Sequence, residues 1–483
     1  MSGHKNHGFT EDGRSDSYNS FSAAINSREI LTTKEKDNTY TVELRDLRKS
    51  LEAGDYDPFN YREIEHPTTN AETMLHLLKG SLGTGILAMP LAFYHSGYLL
   101  GVLGTAFIGF LCTYSVHLLL DCEYVMCKRR KVPSMTYPKT AECALEDGPP
   151  LLQKVAPFAP HIVNIFLMIY QLGTCTVYTV FIGENIHIVL KENFLEFDAR
   201  WIMLIFLLPL IFINYVKNLK LLAPLSTAAN FITVISFGII LYYMTQQDID
   251  LEKRAAFGNY LDYPLFFGTV LFALEAIGVI MPLENEMKTP GDFSRTCGVL
   301  NIAMFIIVSL YIAMGLFGYL AFGSEVGGSI SYTIGSNIPA QVCKIMLALA
   351  IFISHSLQMY PAIDIIWIQY LKPRMEKNEH QAIFEYATRT FLVFVCFCLA
   401  VAIPYVDLFI SLVGAVSLSV LGLAFPAIID LSTHWYSLKG ARGFVIISKN
   451  CFIILFAISG LIVGTSTSLE KIVEKFGSSN STT

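Results

Sequence analysis

Charge is what this chain has least of: Asp, Glu, Lys and Arg make up 15% of its 483 residues, against 53% hydrophobic. An ordinary soluble domain carries roughly 25% charged residues, so this composition and a mean hydropathy of +0.49 exclude one. No broad Lys/Arg patch is present, which argues against a nucleic-acid partner. The first 69 residues hold no apolar stretch that could serve as a cleavable signal, so the first membrane span is expected to direct insertion. There is no phosphate-binding glycine loop and no motif joining a nucleophile to a base, so an enzyme is not expected. The ten cysteines form no framework. Cys112, Cys175, Cys297, Cys396, Cys398 and Cys451 fall in or beside apolar spans, while Cys122, Cys127 and Cys143 lie in or beside a basic loop. Cys396-x-Cys398 has the wrong spacing for zinc, and no histidines stand at ligand spacing beside it. Neither a structural metal nor a cofactor is expected.

What is present is apolar length. A membrane-spanning helix needs about 20 apolar residues, and eleven such stretches are found, at 71–94, 98–120, 161–183, 201–217, 221–244, 264–283, 298–322, 340–370, 386–404, 407–430 and 444–464. The expected architecture is an all-α polytopic membrane protein embedded in the lipid bilayer, with about 11 transmembrane helices. Residues 1–69 read as a disordered cytosolic tail, 70–470 as the transmembrane domain, and 471–483 as a short non-cytosolic tail.

Cytosolic loops carry the excess of Lys and Arg. Lys128, Arg129, Arg130, Lys131, Lys139 and Lys154 lie between spans two and three, which places that loop inside. Alternate loops then hold Lys217 and Lys220, Lys288 and Arg295, Lys372, Arg374 and Lys377, and Lys439 and Arg442. The N-terminus is thereby cytosolic, and Asn480-Ser-Thr482 is a glycosylation sequon on the opposite side. Tyr18-Asn-Ser-Phe21, Tyr56-Asp-Pro-Phe59 and Tyr61-Arg-Glu-Ile64 have the spacing of sorting signals, a pattern that also arises by chance.

Two spans are interrupted. In HLLKGSLGTGILAMP (76–90), Gly80, Gly83 and Gly85 crowd into six residues. Each glycine weakens a helix by about 1 kcal/mol relative to alanine, so the stretch reads either as an unwound turn or as a small-residue packing face. Unwound backbone is tolerated at membrane depth only where protein encloses it or a wet cavity meets it. The second interruption is FALEAIGVIMPLENEMKTP (272–290), where Glu275 sits among apolar residues with Gly278 and Pro282 after it. A carboxylate at mid-span costs about 2.5–3.5 kcal/mol on insertion scales, so Glu275 must be protonated, paired or facing water. Spans one and six occupy corresponding places in two halves of five helices, as an inverted repeat with an appended eleventh helix would arrange them.

LLKGSLGTGILAMP in span one, QLGTCTVYTVFIGENI (171–186) in span three and PLENEMKTP (282–290) after span six resemble the proton-coupled amino acid transporters of the amino acid/auxin permease group. The resemblance covers nearly all the chain after the tail. It implies the LeuT-like five-plus-five inverted repeat and secondary active transport of amino acids, at the plasma membrane or the lysosome, often by proton symport. It also aligns His76 with a histidine associated with proton coupling; imidazole titrates near pH 6.5, whereas a lone histidine in a span also serves as a packing hydrogen bonder. Glu72, one turn earlier, is placed to tune it. Lys79 is read as snorkelling to the headgroups.

An amino acid zwitterion needs donors for its carboxylate and acceptors for its ammonium. Backbone at Gly80, Ser81, Leu82, Gly83, Thr84 and Gly85 suits the carboxylate, at the start of a half-helix. Freed backbone near Phe272, Ala273, Glu275 and Gly278 suits the ammonium, with Glu275 also a coupling candidate. Tyr178 and Ser356 are read as shaping the pocket. Two other readings stand beside proton symport. One is sodium coupling, with Ser354 and Ser356 lending oxygens; the other is an amino-acid sensor whose tail engages a cytosolic signalling partner. The resemblance further implies a disulfide between Cys175 and a cysteine before span eight, but residues 323–340 contain none and Cys343 lies displaced into the helix.

Overall fold

The structure is a computed structural model. It describes residues 56–480 except Glu63, Glu65, His66, Leu82, 194–196, Asn218, Asp248, Asp250, Glu275, Ala276 and 376–378. The chain divides between Asp57 and Pro58, and everything below belongs to the second unit. The Tyr18 sorting pattern, Leu82, Glu275, and Ser481 and Thr482 of the sequon lie outside the described residues.

Every element of regular length among the described residues is a helix, apart from one isolated bridge between Thr68 and Met287. Eight helices are long and apolar enough to cross a membrane, or nine when the bent pair at the start is counted as one span. That pair is α1 (Asn70–Ser81) and α2 (Thr84–Ser96), inclined at 55° to each other. α3 (Tyr98–Arg130) follows at once, because Gly97 takes a positive φ of 79° that lets the chain reverse against Ala256. α4 (Tyr137–Glu146) is a short amphipathic helix in the basic loop, and α5 (Ala159–Glu192) is the next long span. α6 (Ala199–Asn214) and α7 (Leu219–Thr245) complete the first half.

The apolar stretch at 264–283 forms two short helices, α8 (Tyr263–Leu274) and α9 (Ile277–Asn285). α10 (Val299–Phe322) and α11 (Ile338–Ile363) follow, and α11 runs on into a π-helical turn at Asp364–Leu371. α12 (Gln381–Ala402) comes next. α13 (Val406–Val413), a π-helical stretch Gly414–Ala424 and α14 (Phe425–His434) then form one continuous rod, before α15 (Gly440–Asn480). Regular helices of α and π type are expected here, since each closes its backbone hydrogen bonds internally.

Position in the bundle follows from which faces are apolar on all sides. The most apolar window of the 406–437 rod is 72% buried, whereas that of α15 is 17% buried, so the rod is central and α15 peripheral. Phe110, Trp201, Phe231, Phe305 and Leu455 stand exposed on outer faces, the surface that lipid covers. α2 packs on α8 and α10, and α5 packs on α11, around the centre.

Two buried cations inside are paired. Arg389 donates to the Asn214 carbonyl at 2.9 Å and bonds Glu385 at 3.0 Å, tying α12 to the end of α6. Lys344, with its side chain 1% exposed, reaches Glu192 Oε1 and the Gly335 carbonyl, each at 2.7 Å, and so ties the end of α5 and the loop before α11 together. Removing one partner of a buried pair costs roughly 3–5 kcal/mol, because the other charge is left uncompensated. Lys344→Met is therefore expected to lower thermal stability in detergent. The double variant Lys344→Met/Glu192→Gln should recover part of that loss in the same melting assay.

Candidate functional site

The first helix begins with a capping box. Glu72 accepts from the Thr69 amide at 2.8 Å and from its hydroxyl at 2.9 Å, while the Thr69 hydroxyl receives the Glu72 amide at 3.3 Å. Glu72 is thus committed to starting α1, a use that the pattern Thr69-x-x-Glu72 encodes. His76 and Lys79 lie exposed on that helix, as does Gly80, so His76 stands apart from the break.

At the break, α1 ends at Ser81 and α2 starts at Thr84, with Gly83 extended between them. The Gly83 amide donates to the Ser81 carbonyl at 2.9 Å, and the Tyr311 hydroxyl of α10 donates to that same carbonyl. Tyr311 is fully buried. From α5, the Tyr178 hydroxyl would stand 3.2 Å from a Cβ placed on Gly83. One turn on, a Cβ on Gly85 would come within 2.7 Å of the Ala273 Cα. Glycine at 85 therefore lets the two interrupted spans touch backbone to backbone. Phe272 and Ala273 are buried beside this contact.

The break leaves polar atoms over. No side chain caps the start of α2, and the Ser81 and Thr84 hydroxyl oxygens are buried without a partner. Buried polar groups are normally paired, and unpaired ones mark a place where a ligand or water belongs. Gly278, half-buried in α9, faces the Gln171 side chain, which accepts from Gln358 at 2.6 Å. Gly278 also lies on a cavity of about 670 Å³, lined by Tyr137, Asn164, Met281, Asn285, Asp364 and Gln369 among others. This vestibule opens at the end of the bundle that carries the basic loop.

Other sequence candidates are placed elsewhere. Ser354 and Ser356 donate to their own helix, to Ala350 and Ile353 at 2.9 and 3.0 Å. Cys175 donates to the His355 carbonyl at 3.8 Å and Cys343 to the Ser236 carbonyl at 3.5 Å; both thiols are free and buried. Cys122, Asp430 and His434 bring ligand atoms within 4.8 Å of one another, a grouping invisible in sequence. Asp430 there already meets Asn450 at 2.6 Å, His434 at 3.0 Å and Lys449 at 3.5 Å, a hydrogen-bonded charge network that accounts for the cluster. Tyr311, Gln171 and Gln358 carry no mark in the sequence except that Gln171 opens the QLGTC motif.

A profile of the family described as transmembrane amino acid transporter protein matches residues 66–469. The chain belongs to that family. It is 38% identical over 433 residues to the proton-coupled amino acid transporter-like protein pathetic of Drosophila melanogaster, covering 89% of this chain and 91% of that one. It is 25% identical over 423 residues to the probable amino acid transporter skat-1 of Caenorhabditis elegans, covering 84% and 91% respectively. This member of the transmembrane amino acid transporter family is an integral membrane protein, and a transporter rather than an enzyme.

Within it, Tyr311 completes the break. Tyr311→Phe keeps the ring and takes one of two donors from the Ser81 carbonyl, leaving the Gly83 amide, and a buried hydrogen bond contributes about 0.5–1.5 kcal/mol net. Amino acid uptake is expected to fall several-fold at unchanged surface expression. Gly85→Val should abolish uptake outright, since its side chain meets backbone at Ala273.

Proposed function

We propose that this transporter binds a zwitterionic amino acid at the broken first span and carries it by proton symport with alternating access. The observation that carries the reading is the interruption at 81–84, with two buried hydroxyls lacking partners and its next turn against Ala273 of the other interrupted span. The amides at the start of α2 favour the carboxylate. Carbonyls near the end of α8 favour the ammonium, and Glu275, next in sequence after Leu274, is a coupling candidate.

A vestibule that meets Gly278 supports a state open toward one side of the membrane. The basic loop at that end supports reading this side, and the N-terminus with it, as cytosolic. The apolar stretch 201–217 becomes α6 and the stretch 264–283 becomes α8 and α9; read as spans together with the bent first pair and the eight longer helices, they would make eleven, and the proposed arrangement is a five-plus-five inverted repeat with α15 appended. His76, exposed near the cytosolic end of α1, takes the role of a coupling residue in contact with water. The membrane is the plasma membrane or the lysosomal membrane.

One proton is a sufficient driver. A membrane potential supplies about 2.3 kcal/mol per charge per 100 mV, and each pH unit about 1.4 kcal/mol. Together they sustain a gradient of roughly 500-fold at one-to-one stoichiometry. A zwitterion adds no net charge, so symport moves one positive charge inward.

Whole-cell recording with a panel of amino acids at acidic and neutral pH is expected to give an inward current that acid enhances and that persists when sodium is replaced by an inert cation. Loss of the current on sodium replacement would assign coupling to sodium instead. Binding without current or flux, together with a tail-dependent cytosolic response, would make the protein a sensor.

A further inference from the structure

Three buried charges meet at the vestibule end of the bundle, away from the substrate break. Arg62, in the segment that precedes α1, bonds Glu284 Oε1 of α9 at 3.0 Å and lies 3.8 Å from Glu123 Oε1 of α3. The three side chains are 6%, 6% and 2% exposed, so water does little to screen them. The guanidinium also donates to the Pro133 carbonyl at 3.0 Å and to the Glu284 carbonyl at 3.3 Å, and it lies over the Phe59 ring. Nearby, the Thr68 amide donates to the Glu286 carbonyl at 2.8 Å and the Lys288 amide to the Thr68 carbonyl at 2.9 Å. The pre-span segment is thus stitched both to α9 and to the residues just after it.

Among the described residues the charges do not balance. Two carboxylates face one guanidinium, and the other described groups that reach them are the Met135 amide, 3.0 Å from Glu123, and the Cys127 thiol, 3.8 Å from it. Neither brings a positive charge. Glu284 Oε2 is buried with no partner. Two carboxylates that share a dry site do not both ionise readily, and a buried charge without a partner is costly. A hydrogen on one carboxylate brings the cluster from a net charge of −1 to zero.

We propose that Glu284 and Glu123, bridged by Arg62, hold one exchangeable proton and form the site from which the transported proton leaves on the vestibule side. The step is a simple transfer: the O–H bond of one carboxylic acid breaks, the proton passes to cytosolic water, and both carboxylates are left sharing Arg62. Its link to the substrate is mechanical. Glu284 and Gly278 lie on the same short helix, six residues or about 9 Å apart, and Gly278 borders the vestibule. A change of charge at one end of α9 is felt at the end that faces the cargo. Asn285, next to Glu284, lines the vestibule and donates to the Met135 carbonyl at 3.4 Å, which leaves a thin wall between cluster and water.

The release role rests on the symport reading above; the proton on the cluster does not. The test uses the full-length protein in liposomes, with labelled amino acid. For wild type, each pH unit of inward gradient drives up to about tenfold accumulation. Glu284→Gln, which keeps size and hydrogen bonding, is expected to lose that accumulation and keep counterflow exchange at equal pH. Unchanged acid-driven accumulation in both Glu284→Gln and Glu123→Gln would overturn the release role. Infrared difference spectra of the purified protein between neutral and alkaline pH read the proton directly. A protonated-carboxyl band present in wild type and missing in Glu284→Gln supports the cluster. The same band in both proteins, or in neither, overturns it. If wild type itself accumulates nothing under a pH gradient, symport fails, and the infrared band still decides whether the cluster holds a proton.

Discussion

Every peptide group that enters a membrane must find its hydrogen bond inside the protein, and the architecture follows from the one place where this chain declines to do so within a helix. Between Ser81 and Thr84 the helical ladder stops. The Ser81 carbonyl is met from outside by the Tyr311 hydroxyl and from within by the Gly83 amide, so the acceptor side of the break is closed. The donor side is left open, since nothing caps α2 and two hydroxyls beside it lack partners. An anion placed there would meet unpaired donors and the positive end of a helix, without first having to break existing bonds.

The second interrupted span gives that opening a partner. Contact between Gly85 and Ala273 requires that both residues be small, and it brings the backbones of the two interrupted spans together. A zwitterion has charges of both signs a few atoms apart, and under the proposed reading the backbone at the two interruptions would answer both. Side chains are then free to set which amino acid fits. The vestibule brings open space as far as Gly278 on α9, while the rod at 406–437, buried on most sides, forms a centre on which other helices pack.

Much of this was legible in the residues because it depends on local chemistry. Three glycines in six residues weaken a helix wherever they occur, and the break was found at the glycines. Apolar length gave helices near each of the eleven stretches, although the criterion of length and composition passes only eight alone or nine with the bent pair, because α6, α8 and α9 are short. Glu72 shows the other side of local reading. Its spacing to His76 suggested electrostatic tuning, but its spacing to Thr69 is that of a capping box, and the covalent neighbourhood favoured the cap. What could not be read was pairing over distance. Tyr311 reaches a carbonyl 230 positions away, and Arg62 a carboxylate 222 positions away in sequence, so no periodicity marks either.

Residues 58–69 are polar enough to be read as part of a tail, since they cannot bury a core of their own. Arg62 among them is buried against charges that the spans supply. Arg62 is unfavourable to desolvate alone and favourable once Glu284 and Glu123 surround it, and the helices would in turn hold two bare carboxylates without it. Each side therefore makes the other tenable, which binds the start of the first span to the end of the sixth. The two interrupted helices are thus joined twice, by close backbone contact at the cargo site and by shared charge at the vestibule end. Any movement that opens one junction must be accommodated at the other, so the backbone contact at Ala273 and the charge cluster at Arg62 are mechanically linked through the two interrupted helices.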